Sequence, residues 1–291
     1  MCESGAEQAI CDVCPHRCRI AEGKTGKCRA RGVRNGRVIP LNYGIATSLA
    51  LDPIEKKPLA RFHPGSRILS YGSYGCNLNC PFCQNWEISM SDGSEYQPDG
   101  KNRESAYVPP ETLAEMAEQL KEKGNIGVAF TYNEPMISYE YVVDTAKLLR
   151  EKNLNVVLVT NGCVSEKTAD AVLPVTDALN IDLKSFRDDV YRRTLGGDLE
   201  AVKRFIRKAN ECCHVELTTL IVPGMNDSEE EILEMTRWIA SLPKGEEIPL
   251  HITRFFPRYR VLNKKPTERA LVLHLADVAG ERLKYVYPGN L

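Results

Sequence analysis

From about residue 67 onward, short apolar runs alternate with amphipathic stretches. The runs RILSYGSYG (67–75), IGVAFTY (126–132), NVVLVT (155–160), DALNIDL (177–183), HVELTTLIV (214–222) and IPLHITRF (248–255) have the length and β-branched content of buried strands. The stretches between them carry apolar residues at helical spacing. In 109–124 these are Leu113, Met116, Ala117 and Leu120, after a proline start and an acidic first turn and ahead of a Gly stop. In 138–153 they are Tyr141, Val142, Thr145, Leu148 and Leu149. Further helices are expected at 165–174, capped by Ser165, at 199–211, and at 228–243, where Ser228 and Glu231 fit a capping box. Six strands alternating with helices predict repeated βα units and a parallel sheet, in the α/β class. The period is the same for a barrel and for an open doubly wound sheet. In either, ligands gather at the C-terminal ends of the strands.

Residues 1–66 break this pattern and read as a small cysteine-rich accessory domain ahead of a core at 67–291. Within them Asn35-Gly36 signals a hairpin turn. Residues 87–108 are polar, contain Ser, Gly and Pro, and read as a long loop or lid. Composition adds bounds. Charged residues make up 26% and hydrophobic ones 43%, with a formal net charge of −1, which excludes global disorder and any overall pull toward nucleic acid or anionic membrane. No run approaches the roughly 18 apolar residues of a membrane span. Eleven cysteines in 291 residues are far below the roughly 8–10% of a disulfide-built secreted scaffold. The opening MCESGAEQAI has no apolar signal segment, so a cytoplasmic, reducing location is expected.

Seven of the eleven cysteines fall in two groups. The second group, Cys76, Cys80 and Cys83, follows the first strand of the core as C-x3-C-x2-C. Three thiolates on one loop can converge on a metal. Structural zinc takes four ligands and ordinary [4Fe–4S] sites take four cysteines, so a trio leaves one position open, as a catalytic centre does. Spacing alone also admits a zinc site completed by His63 or His251. Pro81, Phe82 and Trp86 are expected to shield the site, with Asn77, Asn79 and Gln84 supporting it.

C-x3-C-x2-C with an aromatic residue before the third cysteine resembles the signature of radical S-adenosylmethionine (SAM) enzymes. The resemblance implies a partial (β/α)6 barrel and a [4Fe–4S] cluster on Cys76, Cys80 and Cys83. Its open iron chelates the amino and carboxylate groups of SAM. Reductive cleavage then gives methionine and a 5′-deoxyadenosyl radical that abstracts a hydrogen atom, with the protein placing and shielding the cofactor. An electron donor such as flavodoxin or ferredoxin is implied, and an oxidoreductase class. FTYNEP (130–135) is similar to the Gly-Gly-Glu-Pro turn of pyruvate formate-lyase activating enzymes that receives the SAM amino group. Here Tyr132 and Asn133 replace the glycines, and Glu134 is kept. VTNG (159–162) supplies Thr160 and Asn161, with Val159 in place of an Asp that helps hold a monovalent cation in that family. NIDLKS (180–185) matches Asp-Leu-Lys, which implies that Lys184 pairs with the SAM carboxylate beside Asp182. TTLIVPGMND (218–227) is similar to the stretch along the adenine, and HITRFFP (251–257) offers His251 and Arg254 to SAM or substrate. Over nearly the whole chain, CDVCPHRCRIAEGKTGKCRAR, NYGIATSLALDPIEKKPLARFHPGS and CNLNCPFCQNWEIS resemble the radical SAM enzymes of the AmmeMemoRadiSam system. That family name implies Memo-like and AMMECR-like partners and no particular substrate.

The first group, Cys11, Cys14, Cys18 and Cys28, offers four thiolates in eighteen residues, enough to close a structural zinc site, with an auxiliary Fe–S cluster as the alternative. His16 is placed to substitute for one ligand. Of the remaining cysteines, Cys2 is expected to be disordered, Cys163 follows the Asn161-Gly162 turn, and Cys212 and Cys213 read as packing residues. Two basic runs break the neutral balance. Arg17, Arg19, Lys24, Lys27, Arg29, Arg31, Arg34 and Arg37 face one acid, Glu22, and Arg254, Arg258, Arg260, Lys264, Lys265 and Arg269 lie near the C-terminus. They read as solvated surface or as a dock for an acidic partner. RNA is disfavoured by the lack of interleaved aromatics. Three functions follow: a radical SAM enzyme on an unknown substrate, an activase that installs a glycyl radical on a partner, and a non-catalytic zinc- or RNA-binding protein.

Overall fold

The computed structural model describes residues 8–96 and 107–291. Cys2 and residues 97–106 of the expected lid lie outside them. Strands β1 (Ala9–Ile10) and β2 (Arg19–Ile20) pair antiparallel, and β3 (Arg31–Arg34) and β4 (Arg37–Pro40) form the expected hairpin. Its turn residues Asn35 and Gly36 sit at φ 52° and 70°, the left-handed pair that a two-residue hairpin favours.

Eight strands form the main sheet, in spatial order identical to chain order. They are β5 (Ser48–Pro53), β6 (Arg67–Gly72), β7 (Asn125–Phe130), β8 (Asn155–Thr160), β9 (Ala178–Asp182), β10 (His214–Ile221), β11 (Leu250–Arg254) and β12 (Val286–Gly289). Strands β6 to β12 run parallel, and β5 pairs antiparallel with β6 at the edge. Helices α1 (Trp86–Ser89), α2 (Pro110–Gln119), α3 (Tyr139–Glu151), α4 (Glu166–Val172), α5 (Leu199–Cys212), α6 (Glu229–Ala240) and α7 (Arg269–Gly280) fill the crossovers. The six expected strands are β6 to β11, each followed by helix, so the chain has the (β/α)6 core of a partial barrel. Among the described residues no helix is long and apolar enough to cross a membrane.

Two sequence expectations are corrected. Ser228 caps α6 by accepting the Glu231 N–H, but the Glu231 carboxylate does not return to close the box. It accepts from Ser185 Oγ (2.5 Å) and the Phe186 N–H (2.7 Å), fastening the loop after β9 to α6. Cys212 is exposed rather than packed, its sulfur 3.6 Å from that of half-buried Cys213.

The segment after β5 turns back into the sheet. Ile54 and Leu59 are buried against Ile68, Ala129, Val157 and Ala178 of the parallel strands. The Pro58 carbonyl accepts from Asn180 Nδ2 at 2.8 Å. Glu216 of β10, fully buried, accepts the N–H groups of Ala60 (2.9 Å) and Arg61 (2.7 Å), and Nε2 of His214 (2.9 Å) and His251 (2.6 Å). Burial alone would raise this carboxyl. The histidines and the two N–H groups outweigh it and hold Glu216 at about 2. Its stabilising contribution is therefore full above the ordinary value of 4.5 and is lost as pH falls from there toward 2. Glu216→Ala leaves four donors without their acceptor, among them buried His251, and opens a space in the barrel where the carboxylate was fully buried. It should cost about 3–5 kcal/mol in urea unfolding, whereas a loss below about 1 kcal/mol would show that this carboxylate does not tie the segment down.

Candidate active site

A cavity of about 640 Å³ opens among the C-terminal ends of the strands. Parallel register sets its wall. Asp182 lies opposite Thr218, and Thr218 opposite His251, so one level of the sheet sends three polar side chains to one space. Cys76, Cys80 and Cys83 line the same cavity, with Tyr132, Asn133, Glu134, Val159, Thr160, Asn161 and Lys184. The structure thus gathers the three-cysteine loop and all but one of the cofactor-site residues expected from sequence. Arg254 is the exception. It is not a lining residue, its Nε donates to the Thr267 carbonyl at 2.6 Å, and its guanidinium lies over the Phe256 ring. His251 lines the wall with Nε2 committed to Glu216.

The loop of three cysteines is braced from several sides. Asn77 is fully buried. Its Nδ2 donates to the Cys163 carbonyl at 2.6 Å, and its Oδ1 accepts from Asn161 Nδ2 at 2.9 Å. The Asn79 N–H reaches the Leu195 carbonyl at 2.8 Å. Cys76 sulfur accepts from the Leu78 N–H (3.4 Å) and from Asn161 Nδ2 (3.6 Å). Gly75 sits at φ 86°, where a Cβ would lie 2.7 Å from the Cys28 carbonyl and 2.8 Å from the Ala30 methyl. Glycine is required there because the N-terminal region presses directly on the loop. Phe82 is buried as expected, but Trp86 is 38% exposed and does not seal the site.

Glu134 caps the turn after β7. Its carboxylate accepts from Thr160 Oγ1 (2.7 Å) and from the N–H groups of Met136 (3.0 Å) and Asn161 (2.8 Å). Burial pushes it up to about 7 against those donors. Lys184 Nζ donates to Asp182 Oδ2 at 2.8 Å. Burial would lower this ammonium, but Asp182 and Cys80 outweigh that and keep it above the ordinary lysine value. Burial also raises the thiols of Cys76 and Cys80, the latter to about 11, so bare thiolates are disfavoured there without a metal.

Sequence reasoning did not single out the group beside Tyr132. The Tyr132 hydroxyl donates to Asp52 Oδ2 at 2.8 Å, and the same oxygen accepts from Lys57 Nζ (2.9 Å) and Ser70 Oγ (3.0 Å). The Lys57 side chain is 3% exposed, with its ammonium 4.6 Å from the Tyr132 ring centroid. Asp52 lies on the edge strand β5, and the turn after it brings Lys56 and Lys57 to the cavity wall. Tyr132 itself has φ 72°, a left-handed conformation that L side chains rarely adopt and that suits the glycine expected at this place. Asn133 braces the next step, accepting the Ser73 N–H and donating to the carbonyls of Tyr74 and Gly75. Glycine at this position should therefore be more stable than alanine. Tyr132→Gly is expected to exceed Tyr132→Ala by about 1 kcal/mol in denaturant unfolding, and equal values would show that φ carries no strain.

A model of the Radical SAM superfamily matches residues 70–236, which span β6 to α6. The chain belongs to the radical SAM superfamily. MJ0808, an uncharacterized protein of Methanocaldococcus jannaschii, is 38% identical over 285 residues, 97% of this chain and 81% of that protein. The pyruvate formate-lyase 1-activating enzyme of Escherichia coli K12 is 26% identical over 197 residues, 65% of this chain and 75% of that enzyme. SuiB of Streptococcus suis bound to S-adenosylmethionine shares the fold with TM-score 0.53 and 17% identity, over 74% of this chain and 48% of SuiB.

Radical SAM enzymes use a [4Fe–4S] cluster and SAM, and the residues of this chain fit both. None of the ten described cysteines is in a disulfide, so the three cavity thiols are free as ligands. N–H groups already point at the Cys76 sulfur, as hydrogen bonds to cluster thiolates do. A carboxylate at Glu134 and an ammonium at Lys184 suit the two ends of an amino acid. Among the described residues no three His, Cys, Asp or Glu side chains are closed into a metal cage.

In the first cysteine group Cys11, Cys14 and Cys28 are buried and Cys18 is half-buried. Burial pushes Cys14 up to about 12 and raises Cys28. His16 does not turn toward them with Nε2, which is 2.8 Å from the Asn77 carbonyl on the other cysteine loop. The first basic run is only partly solvated, because Arg31 is buried and pairs with Glu140 at 2.7 Å.

Proposed function

We propose that this chain binds SAM at a [4Fe–4S] cluster on Cys76, Cys80 and Cys83 and uses it to abstract hydrogen from a substrate, as a radical SAM oxidoreductase. The observation that carries this is the convergence of that loop with Glu134, Asn161, Asp182 and Lys184 on one cavity. When bound, the cluster and SAM supply a one-electron cleavage that yields a 5′-deoxyadenosyl radical. The chain's own residues do the rest. Asn161 and the Leu78 N–H stabilise negative charge on the Cys76 sulfur. Glu134, held by Thr160 and two N–H groups, receives the SAM amino group, and Lys184 receives its carboxylate. Buried Leu78 and Phe82 give the cysteine loop an apolar lining on the cavity wall. Val159 presents an apolar side chain to the cavity, so the reading includes no monovalent cation there.

The finer assignment is to the AmmeMemoRadiSam-type enzymes, supported by residues 11–66 as well as the core. It brings Memo-like and AMMECR-like partners, and a flavodoxin or ferredoxin as electron donor. Residues 1–66 then act as an accessory domain whose four cysteines hold zinc, with an auxiliary cluster as the alternative. A second reading is a glycyl radical activase, favoured by the similarity to pyruvate formate-lyase activating enzymes. Two measurements separate these readings. Mass spectrometry of 5′-deoxyadenosine formed in deuterated cell-extract fractions finds the substrate. A glycyl radical signal by electron paramagnetic resonance, on incubation with a candidate partner, selects the activase. Zinc at both cysteine groups with no iron would contradict both.

A further inference from the structure

We infer that the face formed by Trp86, Tyr259 and the basic run at 254–269 is the docking surface for an acidic one-electron donor protein of the flavodoxin class. This rests on the radical SAM reading, because it concerns how an electron reaches the loop of Cys76, Cys80 and Cys83. The face is joined to that loop directly. The Arg260 N–H donates to the carbonyl of Pro81, the residue after Cys80, at 2.9 Å. Trp86, three residues after Cys83, stacks on Tyr259 with ring centroids 5.2 Å apart and planes 12° apart. A partner seated here lies against the chain segments that carry two of the three thiols.

The composition of the face specifies the partner. Residues 254–269 contain six cations and one acid, Glu268. Arg254 and Lys264 turn to the carbonyls of Thr267 and Pro223. Arg258, Arg260, Lys265 and Arg269 are exposed and, among the described residues, form no ion pair, although cations elsewhere in the chain do. Exposed apolar side chains sit among them. Leu262 is 70% exposed, and Phe256 and Trp86 are also open. Uncompensated charge around a small apolar centre suits brief, steered encounters with a protein of opposite charge. A protein partner is favoured over RNA by the direct link of this face to the cysteine loop. Tyr259 is covered by Trp86 and by the Arg260 guanidinium, 4.9 Å from its centroid, and base stacking on the open Trp86 is an outcome that an oligouridylate probe reads. In the transfer the donor's flavin hydroquinone loses one electron to become the semiquinone, and the cluster gains it. No atom moves between the proteins.

The test uses the anaerobically reconstituted full chain, a strongly acidic flavodoxin as donor, and photoreduced 5-deazaflavin as a small reductant that needs no docking face. Arg258→Glu with Lys265→Glu should slow reduction by flavodoxin about tenfold at low salt and flatten its salt dependence, while deazaflavin reduction stays within about twofold. The single variant Lys265→Glu, at an exposed position, should show the same trend if the double variant folds poorly. Unchanged flavodoxin rates in both variants would overturn the inference. So would flavodoxin-independent binding of an oligouridylate probe that the same charge reversals abolish. If wild-type protein holds no cluster that deazaflavin reduces, the functional reading itself fails, and that outcome is separate from unchanged docking kinetics.

Discussion

Replacing Cys76, Cys80 and Cys83 together by Ala will remove the chain's SAM-cleaving iron and with it all formation of 5′-deoxyadenosine. The expectation follows from the placement of the trio. The loop is braced by Asn77, Asn79 and the glycine turn at Gly75 as well as by the two contacts to the Cys76 sulfur, so most of its bracing does not depend on the thiols. The variant should therefore stay folded while losing its ligands. Burial raises the Cys76 and Cys80 thiols, a cost that ends when their protons are replaced by a metal. Iron and sulfide analysis after reconstitution, beside a circular dichroism melt, checks the result. Iron retained at the wild-type level with intact SAM cleavage would remove this loop from the centre. Iron that falls only partway while SAM cleavage stops would point to a second cluster on Cys11, Cys14, Cys18 and Cys28.

Lys184→Ala should weaken SAM binding by about 10- to 100-fold. A hydrogen bond between charged groups contributes about 1.5–3 kcal/mol, and each 1.4 kcal/mol is a factor of ten in affinity. The ammonium stays charged at neutral pH, since the Asp182 carboxylate at 2.8 Å outweighs the effect of burial. It lines the cavity and, among the described residues, donates its ammonium to Asp182 alone, so it keeps hydrogens for a ligand. Calorimetric titration of SAM into the variant measures the loss without any turnover. An unchanged dissociation constant would take Lys184 out of the site. The backbone here is held separately, by the Lys184 N–H on the Tyr191 hydroxyl at 3.1 Å, so the loop should survive the change.

Periodicity located the six strands of the barrel because each is a short apolar run between amphipathic helices. It passed over β5 and β12, the edge strands, for opposite reasons. β5 lies in a stretch rich in Pro and Lys that reads as loop, and β12 is four residues containing a proline. The helix α7 was also passed over, where the preceding basic run obscured RALVLHLADVAG. The site was legible where chemistry and strand ends coincide. Cys76, Glu134, Asn161, Asp182 and Lys184 each follow or end a strand, and a parallel sheet brings such positions together. Arg254 also ends a strand, but its side chain turns to the Thr267 carbonyl, and side-chain direction there is fixed by a contact thirteen residues away. The Asp52–Lys57–Tyr132 group was hidden because its members are up to 80 residues apart and only the fold joins them. Glu216 was hidden for a similar reason. Its partners at residues 60 and 61 belong to a segment that resembles loop until the barrel closes around it.

The central claim is that the cluster on Cys76, Cys80 and Cys83 leaves an iron open to SAM. Electron–nuclear double resonance on the reduced protein, with SAM labelled with ¹⁵N in its amino group and ¹⁷O in its carboxylate, tests it most directly. Both labels should couple to the cluster in wild-type protein, and neither should in the triple cysteine variant. A reduced cluster whose spectrum shows neither coupling in the presence of saturating SAM would contradict the account.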